Sequence, residues 1–205
     1  MSTADAPPAP PAEKLYTTAD LLAMPDDGIE RWLIDGRIVE FGRGRAEPVT
    51  IRNKFHSRTQ SLVNGVLEAW RQAQPKPRGF FFAGEAGVRL RHDPDLTVGI
   101  DLVYLPADAA ARVMADESTT LIDAVPTLAV EILSPSDTLE ENLTRLRTLR
   151  DAGVPVVWLL DPYLRTVGVH RPGRPPTLLN ETQDLTGDPE LPGFRVPVAR
   201  LFSDD

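Results

Sequence analysis

Two acids in this sequence stand among aliphatic side chains: Asp101 in GIDLVYL and Glu131 in AVEILS. An ionised carboxylate inside an apolar strand is costly unless a basic side chain, a proton or a metal ion compensates it. If the fold brings the two together, each raises the other's pKa unless a cation lies between them. A hard divalent ion meets that need with oxygen ligands, which favours Mg2+, Mn2+ or Ca2+. Beside a phosphate, such an ion polarises an oxygen and acidifies an attacking water, which is the chemistry of a metal-dependent nuclease. His56, next to Phe55 on a helical stretch, is a further candidate to face a cleft as an auxiliary group.

Both acids need strands to hold them. VGIDLVYL (98–105) and LAVEIL (128–133) are apolar runs of strand length. Asp137, with Glu140 three residues on, reads as an acidic capping box opening a helix whose buried stripe is Leu139, Leu143, Leu146 and Leu149 and which ends at Gly153. Ile51, Phe55, Leu62, Val66 and Trp70, with Val63 and Leu67 beside them, predict the longest helix over 50–74. Thr17 to Met24 predicts a short capped helix, and Asp35-Gly36 between the apolar arms of 29–41 predicts a two-residue hairpin. FFFAGEAGVRL (80–90) predicts a glycine-interrupted strand carrying Glu85, read as a solvated hairpin acid that approaches the same site if its strand is adjacent, and 92–97 predicts a turn in which Asp95 is a turn residue. Residues 106–123 predict a surface loop with a helical turn, 155–170 a hairpin around DPYL, and LPGFRVPVARLF an edge segment.

The 205 residues, 41% apolar, suffice for one substantial core and predict a single α/β domain with a partly antiparallel sheet. The domain is expected over 15–205, after a disordered Pro/Ala tail over 1–14 that lacks the regions of a signal peptide. No apolar run spans a bilayer, and a cytoplasmic location is the default expectation. With no cysteine there is no thiolate nucleophile or Cys-type zinc site, and three scattered histidines without a nucleophile elbow give no support to a Ser-His-Asp hydrolase. A net charge of −8 argues against a nonspecific nucleic-acid coat. All but three of the 22 basic residues are arginine, clustered at Arg43/Arg45, Arg52/Lys54/Arg58, Arg89/Arg91/His92 and Arg145/Arg147/Arg150, each read as a solvated face.

GIDLVYL, VPTLAVEILSPSDT, DAGVPVVWLLDP and LPGFRVPVARLF together resemble the Uma-type restriction endonuclease family, within the PD-(D/E)xK nuclease superfamily, from about Tyr16 to Phe202. The resemblance implies a restriction-endonuclease-like mixed sheet flanked by helices, Asp101 and Glu131 as ligands of Mg2+ or Mn2+, a DNA substrate and a homodimer. It also implies a basic residue at the phosphate or water. The superfamily often places a lysine two residues after the glutamate, where this chain has Leu133; in the Uma-type pattern the position falls at Arg145, an arginine in place of the usual lysine. An arginine keeps charge stabilisation but stays protonated, so it cannot take part in proton transfer. Its other role is a direct structural pairing with Glu131, in which case the chain is a binding or assembly module that keeps the fold without turnover. The literal Pro94-Asp95 matches the superfamily's letters, but Asp101, followed by LVYL, is the anchored acid. The family's acid before LIDG is replaced by Trp32, and Glu30, two residues earlier, points to the same strand face. Ser134 and Ser136 are read as turn and cap residues.

Overall fold

A computed structural model describes residues 14–42 and 53–203. The expected tail, apart from Lys14, lies outside the described residues, as do Arg43, Arg45 and Arg52. In chain order the elements are α1 (Thr18–Leu22), β1 (Glu30–Ile34), β2 (Arg37–Phe41), α2 (Lys54–Ala73), β3 (Phe80–Arg91), β4 (Leu96–Leu105), α3 (Ala107–Ala115), β5 (Leu128–Ile132), α4 (Leu139–Asp151), β6 (Val156–Asp161), β7 (Thr166–His170), β8 (Thr177–Asn180), β9 (Asp184–Thr186), β10 (Arg195–Pro197) and a 3-10 turn (Val198–Leu201).

The main sheet has eight strands in the order β2-β1-β4-β5-β6-β7-β8, with β3 also paired to β4. Its only parallel pair among the described strands is β5 with β6, and α4 supplies the crossover that such a pair requires. The remaining pairs are antiparallel. One core cluster packs Val63 and Leu67 of α2 against Leu102, Val130 and Trp158. The other packs Ala109 and Ala110 of α3 and Leu146 and Leu149 of α4 against Ala129, Val157 and Ile100. The result is a mixed sheet with helices on both faces.

β4 organises the site. One edge pairs with β3 along most of its length; the other is shared, by β1 at Leu33↔Thr97 and by β5 from Leu102↔Val130 onward. The segment Gly99–Asp101 lies in the fork between β1 and β5. At the distal end of that fork, Asp35 and Gly36 close the β1–β2 hairpin with φ of 53° and 72°, the pair of left-handed residues that a tight two-residue turn requires.

Several expectations are corrected. Residues 107–115 form a full helix, missed because its buried contacts are the small Ala109 and Ala110 and not large periodic side chains. α2 is capped by Asn53 and its buried face is His56, Thr59, Val63 and Leu67, leaving Phe55 half exposed. The polar His56 and Thr59 broke the apolar periodicity that placed the stripe elsewhere. α4 is capped by Thr138 and Glu141 in a reciprocal box, because Asp137 instead accepts the Ser134 N–H. Only the second half of α4 packs on the sheet, so Leu139 is 75% exposed while Arg145, Leu146, Thr148 and Leu149 are buried. The closing segment forms a separate two-stranded sheet, β9 with β10, and buries Phe194, Val196 and Leu201 in the core.

Candidate functional site

One polar pocket at the fork is lined by Glu30, His56, Glu85, Asp101, Glu131, Ser134, Asp137, Asn142 and Arg145, among others. It therefore gathers Asp101, Glu131, Arg145 and His56. The β4–β5 register accounts for the acids: one step beyond the Leu102↔Val130 pair lie Asp101 and Glu131. Residues directly opposite across a strand pair are side-chain neighbours.

Asp101 is buried and held from two sides. Its Oδ2 accepts the Ile132 N–H at 2.8 Å, and His56 Nε2 lies 3.2 Å from the carboxylate. Gln60, one turn further along α2, donates to the Asp101 carbonyl at 2.9 Å. These bonds tie α2, β4 and β5 together at the acid. Asp95, the alternative acid, lies at the start of β4, where it accepts the N–H and hydroxyl of Thr18 at 2.6 and 2.7 Å; it anchors α1 and stays outside the pocket.

Glu131 is held differently. It is 8% exposed, and its Oε1 accepts no hydrogen bond among the described residues. Burial, reinforced by the charge of Asp101 and opposed by Arg145, pushes its carboxyl well above the usual range. The expected direct pairing of Arg145 with Glu131 does not form. Arg145 instead donates to Glu30, Nη2–Oε2 at 2.8 Å and Nε–Oε1 at 3.3 Å, and lies 3.8 Å from Asp137. The guanidinium lies 4.3 Å from the centre of the Phe41 ring, a cation–π contact. Burial opposes its charge, but Glu30, Glu131 and Asp137 together hold its pKa above the ordinary arginine value. Glu131 therefore meets Arg145 only as a nearby positive charge.

The other expectations fall out from this geometry. Glu30 lines the pocket as the partner of Arg145, while Trp32 is fully buried against Phe41. Glu85 is exposed and also lines the pocket, as the adjacent-strand reading allowed; it sits at a register shift between Ala83 and Ala86 with a φ of 57°. Ser134 and Ser136 keep turn geometry, their hydroxyl oxygens 3.0 Å apart. Sequence reasoning missed Asp137 and Asn142 as pocket residues. The signal for Asp137 was the SPSD turn itself, where a side chain that bonds backwards cannot also cap the helix ahead.

The orphaned Glu131 oxygen and the opposed Asp101 carboxylate suit a hard cation. Among the described residues no group of three His, Asp or Glu side chains could hold a metal ion by itself. The donor set thus fits an ion such as magnesium, which commonly takes one or two carboxylates and completes its shell with water and substrate oxygens. Among the described residues no helix is long and apolar enough to cross a membrane.

Comparison with known proteins agrees with this architecture. Residues 20–199 match the model of the Uma2 family, described as "Putative restriction endonuclease". None of the curated protein sequences compared with the chain matches it. Among solved structures, a crystal structure of a protein from Anabaena variabilis, described as a putative nuclease, superposes with a TM-score of 0.67 over 91% of this chain and 97% of that one. At 19% identity that likeness concerns the fold.

Proposed function

Because the chain belongs to the Uma2 restriction endonuclease family, we propose that it is a divalent-metal-dependent endonuclease hydrolysing phosphodiester bonds in DNA. The observation that carries the reading is the pair of buried carboxylates, Asp101 and Glu131, on adjacent strands of one pocket, with a Glu131 oxygen left without a partner among the described residues.

Asp101 and Glu131 would hold Mg2+ or Mn2+. When bound, the ion supplies Lewis-acid polarisation of a phosphate oxygen and a more acidic water. The protein's own groups prepare that site. The Ile132 N–H and His56 fix the orientation of the Asp101 carboxylate, so it presents a set direction to the pocket. Arg145, clamped by Glu30 and stacked on Phe41, contributes a permanent positive charge that balances negative charge gathering on the phosphate. It holds its protons throughout, so the water must lose its proton to another acceptor.

The test is cleavage of DNA with and without Mg2+ or Mn2+, for wild type and Asp101→Asn. Divalent-dependent nicking that disappears in the variant is expected. Equal residual activity in the two proteins would identify a contaminant and remove the support.

A second reading, a binding or assembly module on the nuclease fold, is favoured by one observation: Arg145 stands where the family pattern has lysine and is already saturated by Glu30 and Phe41. Calorimetric titration with Mn2+ separates the two. Binding lost in Glu131→Gln supports the enzyme; absent binding in a folded wild type supports the module.

A further inference from the structure

We propose that Phe55 and Tyr163 form a stacking platform for unpaired bases at the edge of the acidic pocket, so that nucleic acid reaches the site as a single strand. The inference rests on the nuclease reading for the class of partner and names the form of substrate.

Both rings are left about half exposed, Phe55 at 46% and Tyr163 at 45%, although they meet edge to face with centroids 5.4 Å apart. Leaving aromatic faces in water forfeits burial that a stacked base would recover. The pair is rigidly placed. Asp161 Oδ1 accepts the N–H groups of both Tyr163 and Leu164, which fixes the turn between β6 and β7. The Tyr163 hydroxyl donates to Asn53 Oδ1 at 3.3 Å, and that oxygen also accepts the N–H groups of Phe55 and His56, each at 3.0 Å. His56 in turn contacts Asp101. Three short polar contacts thus connect the platform to the proposed metal ligand.

Charge decides between a single strand and a duplex. A duplex offers base edges and dense phosphate charge, and its base faces are hidden in the stack. Among the described residues, Arg145 of the pocket is matched by Glu30, and Arg165, in the turn beside Tyr163, by Glu181. The ammonium of Lys54, 5.0 Å from the centre of the Phe55 ring, supplies a cation at the platform for one backbone phosphate. With little unmatched cationic track among the described residues, affinity on this face comes from base faces, and these are free only in unpaired strands.

The experiment is fluorescence anisotropy in EDTA with a short labelled single strand and a hairpin duplex of the same sequence. The single strand is expected to bind more tightly. Phe55→Ala and Tyr163→Ala should each weaken it by about 5- to 150-fold, the range for losing one base–aromatic stack, while Phe55→Tyr and Tyr163→Phe retain binding. Unchanged melting curves confirm that the exposed substitutions leave the fold intact. Equal binding of duplex and single strand, unaffected by either alanine, overturns the proposal. Self-association that Tyr163→Ala abolishes, with no oligonucleotide bound, also overturns it and assigns the patch to a second copy. Single-strand binding that depends on the rings without cleavage in Mg2+ keeps the platform and sinks the nuclease. Metal-dependent cleavage of duplex by the alanine variants at the wild-type rate keeps the nuclease and sinks the platform.

Discussion

Replacing Glu131 by glutamine should make the metal-free protein more stable and at the same time remove its response to metal. In the wild type the carboxylate is buried, one oxygen has no partner among the described residues, and Asp101 stands across the strand pair. Were both ionised, at about 5 Å and an effective dielectric constant of about 20, the two charges would repel by about 3 kcal/mol, which sets the upper end of the effect. Arg145 offsets part of this, so a net gain of about 1–3 kcal/mol is expected on neutralisation, or roughly 2–10 °C in melting temperature for a chain of this size. The pH dependence follows from the raised pKa of Glu131. Above about pH 4.3 the unfolded chain releases the proton that the folded state retains, so wild-type stability falls as pH rises through that range. The advantage of glutamine should therefore appear at neutral pH and vanish near pH 4. In Mn2+ at about 1,000 times its Kd the order should reverse, because the ligand then stabilises the wild type by about 4.1 kcal/mol and leaves the variant unchanged. Thermal melts in EDTA and in Mn2+ supply all four values. A Glu131→Gln protein that melts below wild type in EDTA would mean that the carboxylate makes a structural bond, and a preserved Mn2+ shift would mean that the ion binds elsewhere.

Three further outcomes are expected. Arg145→Lys loses the two-point pairing with Glu30 and the planar contact with Phe41, and should lower stability by about 1–2 kcal/mol in denaturant melts while retaining or increasing cleavage; complete loss of cleavage would show that arginine is specifically required. Asp95→Asn should cost about 1–3 kcal/mol at pH 7, since the Thr18 N–H, ahead of the Thr18 hydroxyl, holds the Asp95 pKa below its usual value; that stability is present above about pH 3.9 and is lost as pH falls through the lowered pKa, so urea melts of the two proteins should converge in strong acid. Leu149→Ala removes a fully buried side chain between α4 and the sheet and should cost about 2–5 kcal/mol, whereas Leu139→Ala, at an exposed position, should leave the urea midpoint nearly unchanged.

The strands that carry Asp101 and Glu131 were legible because an acid in a run of aliphatic residues breaks an otherwise clear pattern, and Asp35-Gly36 was legible because few dipeptides suit that turn. The helices were read less well for a physical reason. A helix that helps to build a polar site must spend part of its inner face on polar residues, as α2 does with His56 and Thr59 and α4 with Arg145 and Thr148, so hydrophobic periodicity misplaces its stripe. The partner of Arg145 was beyond local reading altogether, since Glu30 lies 115 residues away and only the docking of the hairpin brings it near.

That separation gives the fork at β4 a consequence for synthesis. Glu30, His56, Asp101, Glu131 and Arg145 sit on five different elements, and the ion pair between the first and the last cannot close until α4 has been made. Contacts this distant along a chain form late, because the loop they close must first be ordered. A chain made in this order carries each wall of the pocket in turn, and the pocket stays incomplete until α4 has been added.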